Sequence, residues 1–279
     1  MYVGIDIGGT KLLAAASNDG RRMIRSHKIA TPKDPRAALA AMIELVHQVS
    51  AGRPVASIGV STPGPLDLHK GVILTPPNLP WHNVEIKRGL ERSLHANVVV
   101  QHDAACGGLA EAILGAGKDY QRVLYVTIST GIGVSLITDG QVYHGAARNI
   151  EAGHITIAQD GPECSCGARG HFEALASGRA IKRQYGKFAY EIHDAKTWDQ
   201  IAQHLAAGLS SLVAVYAPDV LVLAGGVSVH WRRFARPLAH YMAADFRYGI
   251  PPIKLAKYVE TAPVIGALLL ASQAERLLL

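Results

Sequence analysis

The chain has 279 residues, 49% of them hydrophobic, with 28 glycines and a formal net charge of +6, which is apolar material enough for two packed α/β domains. The positive charge is scattered rather than gathered in blocks and aromatics make up only 6%, a pattern that suits an anionic small substrate and argues against nucleic acid. No basic segment leads into an apolar core at the start, no apolar run approaches a membrane span, and three cysteines cannot all pair, so a cytoplasmic location is expected, with no membrane partner and no disulfide framework.

The apolar run Tyr2-Val3-Gly4-Ile5 leads into Asp6-Ile7-Gly8-Gly9-Thr10-Lys11, and Leu12 to Ala16 leads out. This reads as a hairpin with a Gly turn, followed by the turn Asn18-Asp19-Gly20 and a third strand from Arg22 to Ile29. Two readings of its tip stand side by side: an ordinary turn, or a phosphate site. In the second, Gly8 and Gly9 bring peptide N–H groups close to an anion, Thr10 adds a hydroxyl and Asp6 holds a metal ion or its waters.

Downstream, Leu39, Met42, Ile43, Val46 and Val49 share one face of a helix over Pro35–Ser50, and Val55–Val60 follows as a buried strand. A helix over Val84–Leu94 and a strand over Asn97–Gln101 come next. Asp103 then stands between the strand and a helical stretch, Ala104–Leu114. Asp is a favoured helix cap; a carboxylate at the C-terminal end of a strand in an α/β sheet also faces a ligand crevice, where it can act as a general base.

The pattern of the first hairpin then recurs. Val123–Ile128 runs into Ser129-Thr130-Gly131-Ile132-Gly133, Val134–Ile137 runs out, and the turn Thr138-Asp139-Gly140 leads to a short strand, Gln141–Tyr143. Two similar units in one chain imply two similar domains, and two Gly-tipped hairpins can grip a triphosphate from both sides. That arrangement resembles the actin, heat-shock-ATPase and sugar-kinase architecture: a two-domain α/β, ribonuclease H-like fold with an interdomain cleft. The expected division is residues 1–108 plus 264–279 in a smaller domain and 109–263 in a larger one.

A polar, Gly-rich stretch from Gly145 to Gly170 contains Glu151-Ala152-Gly153-His154 and runs into Cys164-Ser165-Cys166-Gly167-Ala168-Arg169-Gly170-His171-Phe172-Glu173. Two Cys and two His supply the four soft or borderline ligands of a tetrahedral zinc site; the bland reading is a Gly-rich loop with free thiols, in a chain holding 13 His. Helices including Trp198–Tyr216 follow, then a strand over Asp219–Ala224 ending at Gly225-Gly226, and a last helix from Val264 to Leu279 that returns to the first domain.

In order along the chain, Asp6 to Lys11, Ser61-Thr62-Pro63-Gly64-Pro65, Pro77-Asn78-Leu79-Pro80-Trp81, Asp103, Ser129 to Gly133, Glu151 with His154, the Cys164 to Glu173 run, Ala176-Ser177-Gly178-Arg179 and Gly225-Gly226 resemble the ROK family of bacterial sugar kinases and sugar-responsive repressors. The resemblance implies an ATP-dependent kinase acting on the C6 hydroxyl of a hexose, with Asp103 as base. It places Gly64, Asn78, His102, Glu151, His154 and Glu173 at the sugar, and Asp6 at magnesium. Gly8, Gly9, Thr10, Lys11, Thr130, Gly131 and Gly133 are placed at the phosphates, and Gly225 and Gly226 at the adenosine. His154, Cys164, Cys166 and His171 are implied as ligands of a structural zinc ion, with one ring nitrogen of His154 on the metal and the other on the sugar. A homodimer is expected.

Three positions depart from the family pattern. His171 replaces a customary Cys, which an imidazole ligand tolerates; His102 replaces an Asn that contacts the sugar; and Val134-Ser135 stand where glycines are common. Glucose is the first expectation for the substrate, with N-acetylmannosamine or N-acetylglucosamine as rivals and polyphosphate as a rival donor to ATP. A catalytically weak sugar-binding protein is the alternative class. A repressor of this family is expected to carry a helix-turn-helix domain ahead of its first phosphate motif, which here starts at residue 6.

Overall fold

The computed structural model describes residues 1–145 and 150–276, so the last three positions of the expected C-terminal helix and part of the Gly145–Gly170 stretch lie outside the described residues. The chain forms two compact units. Unit 1 holds Met1–Leu114, the described residues 144–145 and the segment from Glu260; unit 2 holds Gly115–Tyr143 and Ile150–Val259. The expected division after residue 108 falls inside a continuous helix, Asp103–Leu114, which stays whole in unit 1.

Unit 1 is built on a five-stranded sheet. Strands β1 (Tyr2–Ile7), β2 (Lys11–Ser17) and β3 (Arg25–Ala30) form an antiparallel meander, and β4 (Ser57–Thr62) lies parallel to β1 on its other side. A two-stranded ribbon follows, β5 (Leu66–Asp67) with β6 (Val72–Ile73), and β7 (Asn97–His102) closes the order β3-β2-β1-β4-β7. Helix α1 (Pro35–Ser50) starts where Asp34 accepts the Ala37 N–H at 2.8 Å with Pro35 in the first turn, the pairing of cap and proline that helix starts favour. It buries Ala38, Met42, Leu45, Val46 and Val49. Helix α2 (Ile86–Leu94) and helix α3 (Asp103–Leu114) flank β7 in sequence.

The C-terminal helix, Ala262–Arg276, packs on this sheet through glycines. A Cβ on Gly59 of β4 would lie 1.9 Å from the Ala267 carbonyl oxygen, and one on Gly266 would lie 1.9 Å from the Cys106 carbonyl oxygen in α3. Backbone meets backbone there, so no side chain can swing aside. Gly59→Ala is therefore expected to cost at least ~1–3 kcal/mol, the usual overpacking range, measured by urea denaturation; an unchanged midpoint would show that the helix is not seated on β4.

Unit 2 repeats the plan. Strands β8 (Arg122–Ile128), β9 (Ile132–Thr138) and β10 (Gln141–Val142) form the meander, β11 (Val220–Ala224) runs parallel to β8 and β12 (Ile253–Leu255) parallel to β11, in the order β10-β9-β8-β11-β12. Two short helices, α4 (Phe172–Ala176) and α5 (Gly178–Tyr185), precede the long α6 (Ala195–Tyr216) and α7 (Trp231–Asp245). Helix α6 buries Trp198, Ile201, Leu205, Leu209 and Val213 in the core. Phe172 lies on its Gly208, where a Cβ would sit 2.4 Å from the ring, which anchors the residue next to His171. No helix among the described residues is long and apolar enough to cross a membrane.

Candidate active site

The parallel register of unit 1 brings polar residues to one edge of its sheet. Asp6 of β1 pairs with Ser61 of β4, and Ser61 with Gln101 of β7; Thr62 pairs with His102, and Asp103 follows as the first residue of α3. Ser61 donates its hydroxyl to Asp6 Oδ1 at 2.9 Å. Asp6 is only 7% exposed, and burial pushes its carboxyl up to about 6, with the Ser61 hydrogen bond lowering it, the charge of Asp103 adding to the rise and Lys11 opposing it. A buried carboxylate within electrostatic reach of another suits a hard cation with oxygen ligands, which would offset both charges. The residues present thus fit magnesium.

Because the Asp6 carboxyl gains protons more readily in the folded chain than in the unfolded one, its contribution favours folding at low pH and is lost as pH rises through about 6. In magnesium-free protein this one group is expected to cost roughly 1.5 kcal/mol of stability between pH 5 and pH 8. Asp6→Asn should remove that slope. Parallel urea curves at the two pH values check it, and an equal slope in variant and parent would refute the assignment.

Asp103 is 41% exposed on its side chain and its Oδ1 accepts the Ala104 N–H at 2.6 Å. His102, at the cap position, places Nδ1 3.3 Å from the same N–H and 3.1 Å from Asp103 Oδ1. The helix therefore begins at Asp103 itself, and the capping role is shared with His102. One carboxylate oxygen of Asp103 is used in this way; the side chain remains partly open at the strand's C-terminal end.

The two hairpin tips are alike. Gly8 closes the first with its N–H on the Lys11 carbonyl at 2.9 Å, and Thr31 donates its hydroxyl to the Gly8 carbonyl at 2.7 Å. Gly9 rests on Asn78, whose Cβ would lie 2.9 Å from any Cβ there. In the second, the Ser129 N–H meets the Gly131 carbonyl at 2.9 Å, while Gly178 donates to the Ser129 carbonyl at 2.7 Å. The N–H groups of Gly9, Thr10, Thr130 and Gly131 have no protein acceptor among the described residues. Exposed, undirected donors at a glycine-bearing turn are what an anion requires. Gly225 holds φ +87° with a would-be Cβ 2.4 Å from the Ile128 carbonyl oxygen, and Gly226 faces open space, so the first is demanded by the backbone and the second leaves room for a ligand.

In unit 2 the loop from Glu151 to Glu173 gathers His154, Cys164, Cys166 and His171, whose ligand atoms all lie within 4.8 Å of one another. His154 Nδ1 is 3.3 Å from His171 Nδ1 and 3.6 Å from Cys164 Sγ, and Cys166 Sγ is 3.3 Å from His171 Nδ1. Ligands at zinc distances of ~2.0–2.3 Å stand about 3.3–3.8 Å apart along the edges of a tetrahedron. These three spacings fall in that range while the cluster as a whole extends to 4.8 Å, and the donor set fits zinc. Both imidazoles enter through Nδ1, which leaves Nε2 of His154 available to another partner. Glu151 is exposed and Glu173 half-buried; Ser165, Glu173, Ser177 and Arg179 line a cavity of about 350 Å³.

Of the sugar-site candidates, unit 1 carries Gly64, Asn78, His102 and Asp103, and unit 2 carries Glu151, His154 and Glu173. Residues that sequence reasoning did not single out include Ser61 as the partner of Asp6, Thr31 behind the first turn, and Ser165. A further buried thiol, Cys106, lies in the electrostatic reach of Asp6, and burial drives it well above the usual thiol range.

Two units of matching sheet order define a two-domain α/β protein of the actin-like ATPase fold. The chain belongs to the ROK family, whose model matches residues 2–274. The ROK hexokinase from Thermus thermophilus is similar in structure, with a TM-score of 0.88 and 34% identity, covering 99% of each chain. A ROK family glucokinase from Streptomyces griseus in complex with glucose and AMPPNP gives a TM-score of 0.82 at 27% identity, over 98% of this chain and 99% of that one. An N-acetylgalactosamine kinase, AgaK, from Shewanella sp. strain ANA-3 is 31% identical over 300 residues, 97% of this chain and 96% of its own. The family includes repressors as well as kinases.

Proposed function

We propose that this protein is an ATP-dependent sugar kinase that transfers the γ-phosphoryl group to the C6 hydroxyl of a hexose, with glucose the first candidate. The observation that carries the reading is the sheet edge of unit 1, where Asp103 stands partly open at the end of β7 within electrostatic reach of the buried Asp6. Phosphoryl transfer asks for a proton acceptor at the attacking hydroxyl and for positive charge and donors around the transferred group. Asp103 supplies the acceptor. Asp6 would hold magnesium, which neutralises charge on the phosphates when bound. The tip donors of Gly9, Thr10, Thr130 and Gly131, with Gly8, Lys11 and Gly133, would lie along the phosphates, and Gly225 with Gly226 along the adenosine.

Gly64, Asn78, His102, Glu151, His154 and Glu173 would contact the sugar, with the zinc site fixing the ring of His154 so that Nε2 meets a hydroxyl. The protein would act in the cytoplasm as a homodimer. The similarity to an N-acetylgalactosamine kinase supports a second substrate class, the N-acetylhexosamines. An assay of sugar-phosphate formation from glucose, mannose and the three common N-acetylhexosamines, with ATP and polyphosphate as donors, separates these, because sugar phosphate is the product common to both donors. No turnover with any of them would favour a sugar-binding regulatory protein.

His102 sets the hydroxyl pattern beside the base. With Nδ1 turned toward the first turn of α3, where it either accepts the Ala104 N–H or, when it carries the proton, donates to Asp103 Oδ1, the ring presents only Nε2, whereas Asn offers a donor and an acceptor on one amide. His102→Asn is expected to change the ranking of hexose epimers by kcat/KM, since sites built for a hydroxyl reject analogues that misplace it. Identical rankings would put His102 outside the sugar contacts.

A further inference from the structure

We infer that Glu173 is a positioning residue for the second hairpin, fastening the loop of candidate zinc ligands to the turn assigned above to the phosphates; the inference rests on that assignment. Glu173 is the second residue of α4. Its Oε2 accepts the Ile132 N–H at 2.9 Å, and its Oε1 accepts the Ser165 hydroxyl at 3.3 Å. Ser165 stands between Cys164 and Cys166. The carboxylate lies so close to the turn that a Cβ on Gly131 would be 2.3 Å from Oε2 and 3.1 Å from Cδ. From the other side, Gly178 and Arg179 donate to the Ser129 and Thr130 carbonyls at 2.7 and 3.3 Å. The turn is thus held by both ends of the segment 173–179.

A negative charge next to a phosphate site opposes anion binding, so its presence there calls for a geometric role. An exposed Ser-Thr-Gly turn left to itself samples several peptide orientations, and ordering it would be charged against nucleotide affinity. Glu173 orders it beforehand. The carboxylate acts through its two acceptor oxygens, and a carboxamide can imitate them: its carbonyl oxygen meets the Ile132 N–H and its amide donates to the Ser165 oxygen. Gln should therefore serve the turn while removing the charge, and Ala should not.

The experiment is a calorimetric titration of magnesium and AMPPNP, in the absence of sugar, into purified wild type, Glu173→Gln, Glu173→Ala, Gly131→Ala and Thr130→Pro, which removes the Thr130 N–H, with metal content and melting temperature measured on each. Glu173→Ala is expected to weaken the nucleotide about tenfold and Gly131→Ala, which pushes the carboxylate away, by a similar factor, while Glu173→Gln stays within about twofold of wild type. If Thr130→Pro weakens the nucleotide and Glu173→Ala does not, the inference is wrong and the phosphate assignment stands. If neither changes it, the phosphate assignment itself fails. Equal losses in Gln and Ala would also overturn the inference, because charge rather than geometry would then be responsible. Should Glu173→Ala not fold, Glu173→Asp takes its place, keeping the charge but too short to hold both the Ile132 N–H and the Ser165 hydroxyl: a loss there with none in Glu173→Gln supports the inference, and no loss overturns it.

Discussion

Replacing Asp103 with Asn is expected to lower kcat by roughly 10²–10⁴, the scale of general-base removal, with a much smaller change in sugar affinity. The reason lies in what each oxygen does. Oδ1 accepts the Ala104 N–H at 2.6 Å, and the carbonyl oxygen of Asn can keep that bond, so the first turn of α3 survives. What Asn cannot do is take a proton from the attacking hydroxyl. Because the loss is confined to the chemical step, kcat and kcat/KM should fall together. Melting temperature and helix content should match the parent. Near-normal turnover would reduce Asp103 to a helix-start residue, whose partial capping is already visible, and would leave the proposed kinase without a base at this strand end.

Much of the scaffold behind that base is legible in the chain. Asp34-Pro35 followed by apolar residues at helical spacing fixes α1 over Pro35–Ser50, because cap, proline and period agree. The two Gly-tipped hairpins are likewise readable, and the shared sheet order of the two units follows from their recurrence. Other elements carry weaker signals. Helix α7 contains Pro237, which by itself argues against a helix interior, and β5, β6 and β12 are two or three residues long. Helix α5 has its Ser177 cap and Gly186 stop, signals that a Gly-rich neighbourhood obscures.

The site shows the same division. Residue types in the Cys164 to Glu173 run point to a metal, yet the entry of both His154 and His171 through Nδ1 depends on how the loop closes. The pairing of Ser61 with Asp6 needs the parallel register of β1 and β4, and residues 55 positions apart along the chain give no local sign of it. Nothing along the chain links Glu173 to Ile132, since only the fold sets α4 against the second turn.

The second large effect is expected from Cys166→Ser, which should abolish stoichiometric metal binding and raise the sugar KM roughly 10–100-fold, while kcat at saturating sugar falls less. Purified wild type should contain about one zinc ion per chain by elemental analysis. Serine is nearly the size of cysteine but gives zinc no thiolate, so the change tests the ligand and little else. Cys164 adds a dependence on pH. Burial pushes its thiol up in the metal-free chain, with the neighbouring Cys166 contributing in both directions, so zinc must displace a proton there and its affinity should weaken as pH falls. With the metal gone, His154 Nδ1 loses its anchor and Nε2 its fixed direction, which is why sugar affinity should move with metal content. Glu151 and Glu173 remain in the sequence of the variant, so a contribution from them persists. A chelator-treated wild type should show the same raised KM and recover on adding zinc. Metal-free protein that phosphorylates its sugar with unchanged KM would separate the Cys–His cluster from substrate binding altogether.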